Sequence, residues 1–191
     1  GLRPDLMDLA VRTARTIRLE GGNDLVWQPL ARARLGILDL DWFKREVRYC
    51  LLPNGVANDR TRQIGGRYRD ETDPDFMMRM GVWTENLSLP AVLNECLMQS
   101  YSGVIRLFPN TSGLGRARFQ NLRAAGAFLV SAAWDGTAAS EVRVVSEKGA
   151  SARIANPWRG RGVRVRSLPE GAEVTLTESR GVVSFTTRPG A

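Results

Sequence analysis

Apolar residues recur every three or four positions in four segments of the first hundred residues, which is the spacing of one face of an α-helix. The clearest stripe consists of Leu6, Leu9, Ala10, Ala14 and Ile17. The pattern predicts helices over Asp5–Leu19, Trp27–Leu35, Trp42–Leu52 and Leu89–Ser100. Stripes this broad need apolar partners on more than one side.

Residues that commonly cap helices stand before three of these segments. The candidates are Asn23 or Asp24 for the second helix, Asp39 or Asp41 for the third, and Ser88 for the fourth. Pro29 is compatible with the second helix only in its first turn, because an interior proline removes a backbone hydrogen bond. Pro90 favours a first-turn position in the fourth helix.

After Gly103 the apolar period changes from helical spacing to two, which is typical of strands. The candidate strands are Val104–Phe108, Ala117–Arg123, Ala127–Trp134, Ser140–Ser146, Ala152–Asn156, Gly162–Ser167, Ala172–Thr177 and Val182–Thr187. Turn residues such as Asp135-Gly136 and Lys148-Gly149 separate them. The sequence therefore predicts an α+β fold, with a helical domain over residues 1–103 and an antiparallel β-sandwich over residues 104–191.

Residues 56–81 have no sustained period and are rich in Gly, Asp and Arg. A loop of this length inside a compact protein is usually functional or disordered. Its acidic segment, residues 70–75, does not have the spacing of the twelve-residue calcium loop, so solvated charge is the favoured interpretation.

The composition excludes several classes of protein. With 43% hydrophobic and 25% charged residues the chain is typical of a folded protein, and it has no apolar run of about eighteen residues that would span a membrane. The chain has no histidine, which excludes Ser-His-Asp and Cys-His catalysis. Cys50 and Cys96, without histidine, cannot supply four zinc ligands, and we expect both to be buried thiols.

The positive charge is concentrated in the second half of the chain. Residues 106–191 carry 13 basic and 6 acidic side chains, an excess that equals the whole net charge of +7. The densest basic run, residues 159–166, has no interleaved aromatic residues and so lacks the stacking platform of single-stranded nucleic-acid binders. Its alternation predicts Arg164 and Arg166 on one face of a strand. This basic excess is compatible with a solvated β-sheet surface and also with a face that binds a polyanion.

Two groups of residues carry a resemblance to a known family. The first is Glu95-Cys96-Leu97-Met98-Gln99-Ser100 followed by residues 103–109, and the second is residues 119–124 followed by 126–130. This stretch resembles the C-terminal region of glycoside hydrolase family 95, the α-L-fucosidase-like enzymes. Leu122 to Phe128 is similar to the family pattern Leu-Arg-Ala-x-Gly-Gly-Phe, with Ala127 in place of the second glycine.

The resemblance implies that the chain is the tail of a bacterial glycosidase, periplasmic or secreted. It would contain the last helices of an (α/α)6 barrel and the terminal β-sandwich, and hydrolysis would invert the anomeric centre without a cofactor. The family's general acid and its Asn base would lie upstream of this chain, which begins with Gly1 rather than Met. We therefore expect the 191 residues alone to be inactive.

One further family carboxylate precedes the fourth helix, in an Asp-Gly-Asn-Phe-Gly setting. Here the sequence is Trp83-Thr84-Glu85-Asn86, with Thr84 at the aligned position. Glu85 is a candidate catalytic carboxylate, favoured in its ionised form by the helix N-terminus, or a surface acid. Asn86 is a candidate second catalytic residue or a helix-entry hydrogen bonder. Trp83 is a candidate sugar platform or a core residue.

The remaining tryptophans are predicted to be packing residues: Trp27 and Trp42 in helical stripes, Trp134 and Trp158 among the strands. A second class of function is a non-catalytic carbohydrate-binding or assembly module. A third, a basic adaptor for nucleic acid, predicts steep salt dependence of binding. The helical stripes predict a partner, either the upstream part of the same polypeptide or a second copy of the chain; we expect no metal and no membrane contact.

Overall fold

The computed structural model describes residues 3–17, 24–50 and 87–190. The chain divides into two compact units, Gly1–Cys96 and Leu97–Ala191. The described part of the first unit is helical, and that of the second consists of short antiparallel strands. This confirms the α+β class.

The described helices are α1 (Met7–Thr16), α2 (Asp24–Arg34), α3 (Leu40–Cys50) and α4 (Leu89–Leu97). A short 3₁₀-helix, Pro4–Leu6, precedes α1. The first helix was expected to reach Leu19, but it ends earlier because Ile17 has an extended backbone with ψ 133°.

The prediction that Pro29 requires a first-turn position is wrong. Pro29 lies inside α2, five residues after the helix begins at Asp24. Without an N–H it cannot donate to the carbonyl of Leu25, which removes one helical hydrogen bond. The Pro29 side chain is fully buried, and burial of its ring offsets part of that loss.

The start of α3 agrees with the sequence. Asp39 Oδ1 accepts hydrogen bonds from the backbone N–H of Asp41 at 2.9 Å and of Trp42 at 3.1 Å. These bonds satisfy two of the N–H groups that have no partner inside the helix. Asp39, not Asp41, is therefore the capping residue.

The fourth helix ends earlier than expected. Met98 and Gln99, predicted as helical, form a strand, β1 (Met98–Gln99), which pairs with β2 (Arg106–Leu107). The backbone N–H of Phe108 donates to the carbonyl of Leu97 at 2.8 Å, which ties the last helical residue to the end of the hairpin. These two residues form a strand rather than a last helical turn, because pairing with β2 buries both Met98 and Gln99.

The other strands largely follow the predicted period. They are β3 (Ala117–Ala124), β4 (Phe128–Trp134), β5 (Ala139–Ser146), β6 (Ser151–Ala155), β7 (Val165–Arg166), β8 (Glu173–Val174), β9 (Leu176–Ser179) and β10 (Val182–Thr186). The larger sheets have the orders β3-β4-β5 and β6-β10-β9, and the neighbouring strands in both are antiparallel. Arg164 and Arg166 were expected on one strand, but β7 excludes Arg164.

One apolar core serves the strands of the second unit. Its buried members include Met98, Phe119, Phe128, Val130 and Ile154, and Phe185 packs against it. Because these residues come from both three-stranded sheets and from β1, the sheets share a single core. An isolated bridge between Ile105 and Ile154 links the β1–β2 hairpin to β6.

In the helical unit, Arg32 joins three helices. Its Nε donates to the carbonyl of Ala14 and its Nη2 to that of Ile17, both at 3.3 Å, at the end of α1. Its guanidinium also lies 5.2 Å from the ring centre of Trp42 on α3. Burial lowers the pKa of Arg32, yet the group stays charged because its ordinary pKa is far above neutral.

The α1 stripe, which we define as the apolar residues of α1 together with Leu6 just before it and Ile17 just after it, is largely exposed to solvent. Leu9 is 53% exposed, Ile17 47% and Leu6 44%, whereas Ala14 is buried. The expectation that Trp27 is a core residue is wrong, since its side chain on α2 is 60% exposed. Among the described residues, the interior of this unit instead includes Leu25, Val26, Ala33, Leu38, Leu40, Phe43, Val92 and Cys96.

Candidate functional site

The residues predicted to act on a sugar, Trp83, Glu85 and Asn86, lie outside the described residues, which resume at Leu87. The acidic segment 70–75 and the rest of the long segment 56–81 also lie outside them. The catalytic and platform roles therefore stay predictions.

The helix that follows the predicted site is described in full. A single 3₁₀ turn at Leu87 and Ser88 leads into α4, with Pro90 as its second residue, as the sequence predicts. Glu95 on α4 accepts a hydrogen bond from Arg34 on α2 at 3.0 Å, and the exposed fraction of the Glu95 side chain is 19%. This ion pair holds α4 against α2.

Cys96, at the end of α4, is buried and holds a reduced thiol, as expected. The side chain of Cys50 lies outside the described residues. Sequence reasoning did not single out Glu46, which is buried on α3 although it is acidic. The available signal was its place three residues after Phe43, on the apolar face of the helix.

The segment that carries the family resemblance makes a tight passage from helix to hairpin. Gly103 has φ +71°, a conformation that glycine adopts freely, and lies in the turn between β1 and β2. Arg106 Nη1 donates to Ser102 Oγ at 2.6 Å and to the carbonyl of Val104 at 3.3 Å. The Ser100 hydroxyl accepts from the backbone N–H of Ala125 at 2.9 Å, which joins this turn to the β3–β4 hairpin.

The β3–β4 hairpin contains the second half of the resemblance. Its turn includes Gly126 with φ +90° and Ala127 with φ +61°. Alanine rarely occupies this left-handed region, which favours glycine. Ala127 is the position where the resembling family has its second glycine.

A cavity of about 170 Å³ lies at the ends of several strands of the second unit. It is lined by Arg106, Leu107, Trp134, Ala139, Ala155, Asn156, Pro157 and Arg159. These residues come from β2, the end of β4, the start of β5, the end of β6 and the turn after β6. The cavity is therefore built by four separate segments of the chain.

Hydrogen bonds hold the wall of this cavity in place. Asn156 Nδ2 donates to Glu178 Oε1 and to the carbonyl of Arg161, both at 3.0 Å, while Asn156 Oδ1 accepts from the backbone N–H of Trp158 at 2.9 Å. The Trp158 indole donates to the carbonyl of Ala139 at 2.7 Å. The Trp134 ring packs 5.6 Å from that of Phe108, so both tryptophans of the β unit pack as expected.

The cavity carries positive charge. Among the described residues, neither Arg106 nor Arg159 has a carboxylate within ion-pair distance. The Glu178 carboxylate is hydrogen-bonded to Asn156 in the wall, while two other acids of this unit pair with other arginines: Glu141 with Arg118, and Glu147 with Arg123 at 2.6 Å. The ion pair with Arg123 lowers the pKa of Glu147.

Sequence reasoning missed this cavity. It placed Trp134 among the packing residues, Arg159 in a basic run and Asn156 at the end of a candidate strand. No local pattern marks the cavity, because residues 106, 134, 156 and 159 meet only through strand pairing.

Within the described ranges, no group of three or more Cys, Asp or Glu side chains is placed to hold a metal ion. The same residues include no helix with the length and apolar character needed to cross a membrane.

Comparison with known proteins finds no match: no protein-family model fits the chain, and no curated protein is significantly similar to it.

Proposed function

We propose that the chain is the C-terminal portion of a glycoside hydrolase that acts on α-linked sugars such as α-L-fucosides. In this proposal the helices belong to an (α/α)6 barrel, and residues 104–191 form an antiparallel β-sandwich. The chain alone is inactive, because it holds at most one half of the catalytic pair. No cofactor takes part.

The observation that carries the proposal is the exposed apolar stripe of α1. Leu6, Leu9 and Ile17 each expose close to half of their surface. Exposed apolar area costs about 25 cal/mol for each Å² that a partner would bury, so such a stripe favours packing against further helices. In a barrel of paired helices, the neighbours encoded upstream of Gly1 would cover it.

Two features of the β unit support the resemblance. The shared core of the two three-stranded sheets is what a sandwich requires. Ala127, where the family has glycine, has the positive φ that glycine adopts without strain. A positive φ at Ala127 is what we expect if the chain is related to a family that usually has glycine at this position.

The catalytic roles follow from the general chemistry of glycosidases. A protonated acid on one side of the glycosidic bond and a base on the other hydrolyse it, and inversion needs room for a water between them. Glu85 would supply one carboxylate or position the substrate, with Asn86 beside it, and Trp83 would pack against the apolar face of the sugar. The other catalytic group would come from the upstream helices.

The test uses the whole reading frame that contains this chain. We expect several hundred residues with helical periodicity upstream of Gly1, and hydrolysis of 4-nitrophenyl α-L-fucoside by the complete polypeptide. Glu85→Gln is expected to lower kcat by at least about a hundredfold. Glu173→Gln, an exposed acid on β8, serves as the control and is expected to leave kcat unchanged.

Two results would overturn the proposal. One is an upstream frame without helical segments. The other is a folded, complete polypeptide that hydrolyses neither α-L-fucosides nor any other α-linked sugar in a panel of aryl glycosides. Turnover by the isolated 191-residue chain would contradict the claim that it lacks a catalytic group.

A further inference from the structure

From the cavity lined by Arg106, Trp134, Asn156 and Arg159 we infer a binding site for a sugar that carries a carboxylate, such as a uronic acid. The inference does not depend on the hydrolase proposal, because all of these residues lie in the β unit and none belongs to the predicted catalytic group.

The charge of the cavity indicates an anion. Two arginines line it, and the Glu178 carboxylate, which is hydrogen-bonded to Asn156 of the wall, is not one of the lining groups. The hydrogen bonds of Arg106 to Ser102 and to the carbonyl of Val104 use only Nη1, so the Nε–H and the two Nη2–H groups take no part in them. A guanidinium offers parallel N–H donors that match the two oxygens of a carboxylate, which is why arginine is preferred for this recognition.

Arg106 is held in place before any ligand arrives. Its bonds to Ser102 and to the carbonyl of Val104 anchor one end of the guanidinium, and its side chain is half-buried. Less side-chain freedom is then lost on binding, which favours affinity. Arg159 is exposed at the rim and supplies a second positive charge.

The size of the cavity and the apolar residues within its mixed lining limit the ligand. A volume of about 170 Å³ is smaller than the sites of drug-sized molecules, which hold about 300–1,000 Å³. The cavity therefore suits one charged group and part of one ring. Trp134, Leu107 and Pro157 provide the apolar surface for the C–H side of that ring.

The hydrogen bonds of Asn156 make the wall rigid rather than adaptable. Its amide already donates to Glu178 and to the backbone at Arg161, and its carbonyl oxygen accepts from Trp158. We therefore assign Asn156 a positioning role and give the contact with the ligand to the two arginines and Trp134.

The test is a ligand titration of the 191-residue chain at constant ionic strength, in which amide chemical shifts are recorded by NMR. The ligands are sodium glucuronate, glucose and sodium acetate. We expect saturable shifts with glucuronate at the amides near residues 106 and 156–159, and weaker binding of both glucose and acetate. Constant ionic strength matters because salt screens exposed charges.

Two variants with the same loss of charge separate a site from general electrostatic attraction. Arg159→Gln is expected to weaken glucuronate binding about tenfold or more, since hydrogen bonds to charged groups are strong. Arg143→Gln removes an exposed charge on β5, away from the cavity, and is expected to leave the affinity unchanged.

Any of three results would overturn the inference. If glucuronate caused no saturable amide shifts, the cavity would not be a binding site for it. Equal losses in the Arg159 and Arg143 variants would show that only net charge matters. Glucuronate binding no tighter than that of glucose or acetate would contradict the recognition of a charged sugar. Because Arg159 is exposed, we expect its substitution to leave the fold intact, which the unchanged amide spectrum away from the cavity would show.

Discussion

Ala127 illustrates how a single backbone angle links sequence to stability. With φ +61° it occupies the left-handed region in the β3–β4 turn, next to Gly126. For residues with a side chain this conformation costs about 1–2 kcal/mol. The turn keeps it because both flanking strands pair in register on either side, from Ala124 opposite Phe128 onward.

We predict that Ala127→Gly stabilises the chain by about 0.5–1 kcal/mol, because relief of the left-handed strain exceeds the added entropy of the unfolded state. Urea denaturation measures the difference. Ala125→Gly is the matched control in the same turn, since Ala125 has no positive φ, and it is expected to be neutral or destabilising. Equal effects of the two substitutions would contradict the role given to φ.

Asp135 stabilises the turn between β4 and β5. Its Oδ1 accepts from the backbone N–H of Thr137 at 2.7 Å and of Ala138 at 2.8 Å, and from the Thr137 hydroxyl at 2.8 Å. The hydrogen bond from Ala138 is the first cause of the lowered pKa of Asp135, followed by those from Thr137. The ionised form is therefore favoured in the folded state.

Because its pKa is lowered, we predict that the contribution of Asp135 to stability depends on pH. Because the folded pKa lies below the ordinary value of about 3.9, the stabilisation is present above that pH and is lost as the pH falls through the folded pKa. Asp135→Ala should lower the melting temperature at neutral pH, and the difference from the unmodified chain should narrow below about pH 4. Glu170→Ala, an exposed acid in another turn, is the control. A difference in melting temperature between Asp135→Ala and the unmodified chain that does not change with pH would contradict this prediction.

At the scale of elements, the end of the chain is fastened to the turn that follows β5. Gly190 N–H donates to the carbonyl of Ser146 at 2.7 Å, and the Thr187 hydroxyl donates to the carbonyl of Ala150. Gly149 lies beneath this segment: a Cβ added there would stand 2.7 Å from Pro189 Cδ. Glycine is needed here for space as well as for its φ of +69°.

We predict that Gly149→Ala destabilises the chain more than Gly171→Ala does. Both glycines have similar positive φ, +69° and +73°, but a Cβ at Gly171 meets no atom within 4 Å. The first substitution therefore adds a steric cost of about 1–3 kcal/mol to the backbone strain that both share. Chemical denaturation of the two variants gives the comparison. If both variants lost the same free energy of unfolding, the segment around Pro189 would have to move away from residue 149 without an energetic cost.

For the whole molecule, the two units differ in what they expose. All of the net charge of +7 lies in residues 106–191, and the exposed apolar stripe lies on α1. The first feature favours anionic ligands of the β unit, and the second favours a partner for the helices.

We predict that the isolated chain self-associates through the α1 stripe. Sedimentation velocity over a wide concentration range should show oligomers, and the double variant Leu6→Glu, Leu9→Glu should shift the chain toward monomer. Arg12→Glu, on the same helix, changes the net charge by the same amount without altering the stripe, and should associate like the unmodified chain. A monomeric unmodified chain would count against the proposed packing with further helices.

Local sequence patterns were enough to predict the α+β class, the approximate position of the described helices and most of the strands, and they narrowed the cap of α3 to Asp39 or Asp41. These features depend on the local period of apolar residues and on caps and turns, which neighbouring residues decide. The predicted site at Trp83, Glu85 and Asn86 is also a local inference, and it remains a prediction.

Other features depend on residues that are distant along the chain, and local patterns did not predict them. Met98 and Gln99 became a strand because they pair with residues 106–107, and Pro29 is tolerated inside α2 because its ring is buried. Trp27 is exposed although it lies in an apolar stripe, since the stripe does not say which of its residues meet a neighbour. The arginine cavity has walls from four segments, and periodicity along a chain cannot encode which strands bring those segments together.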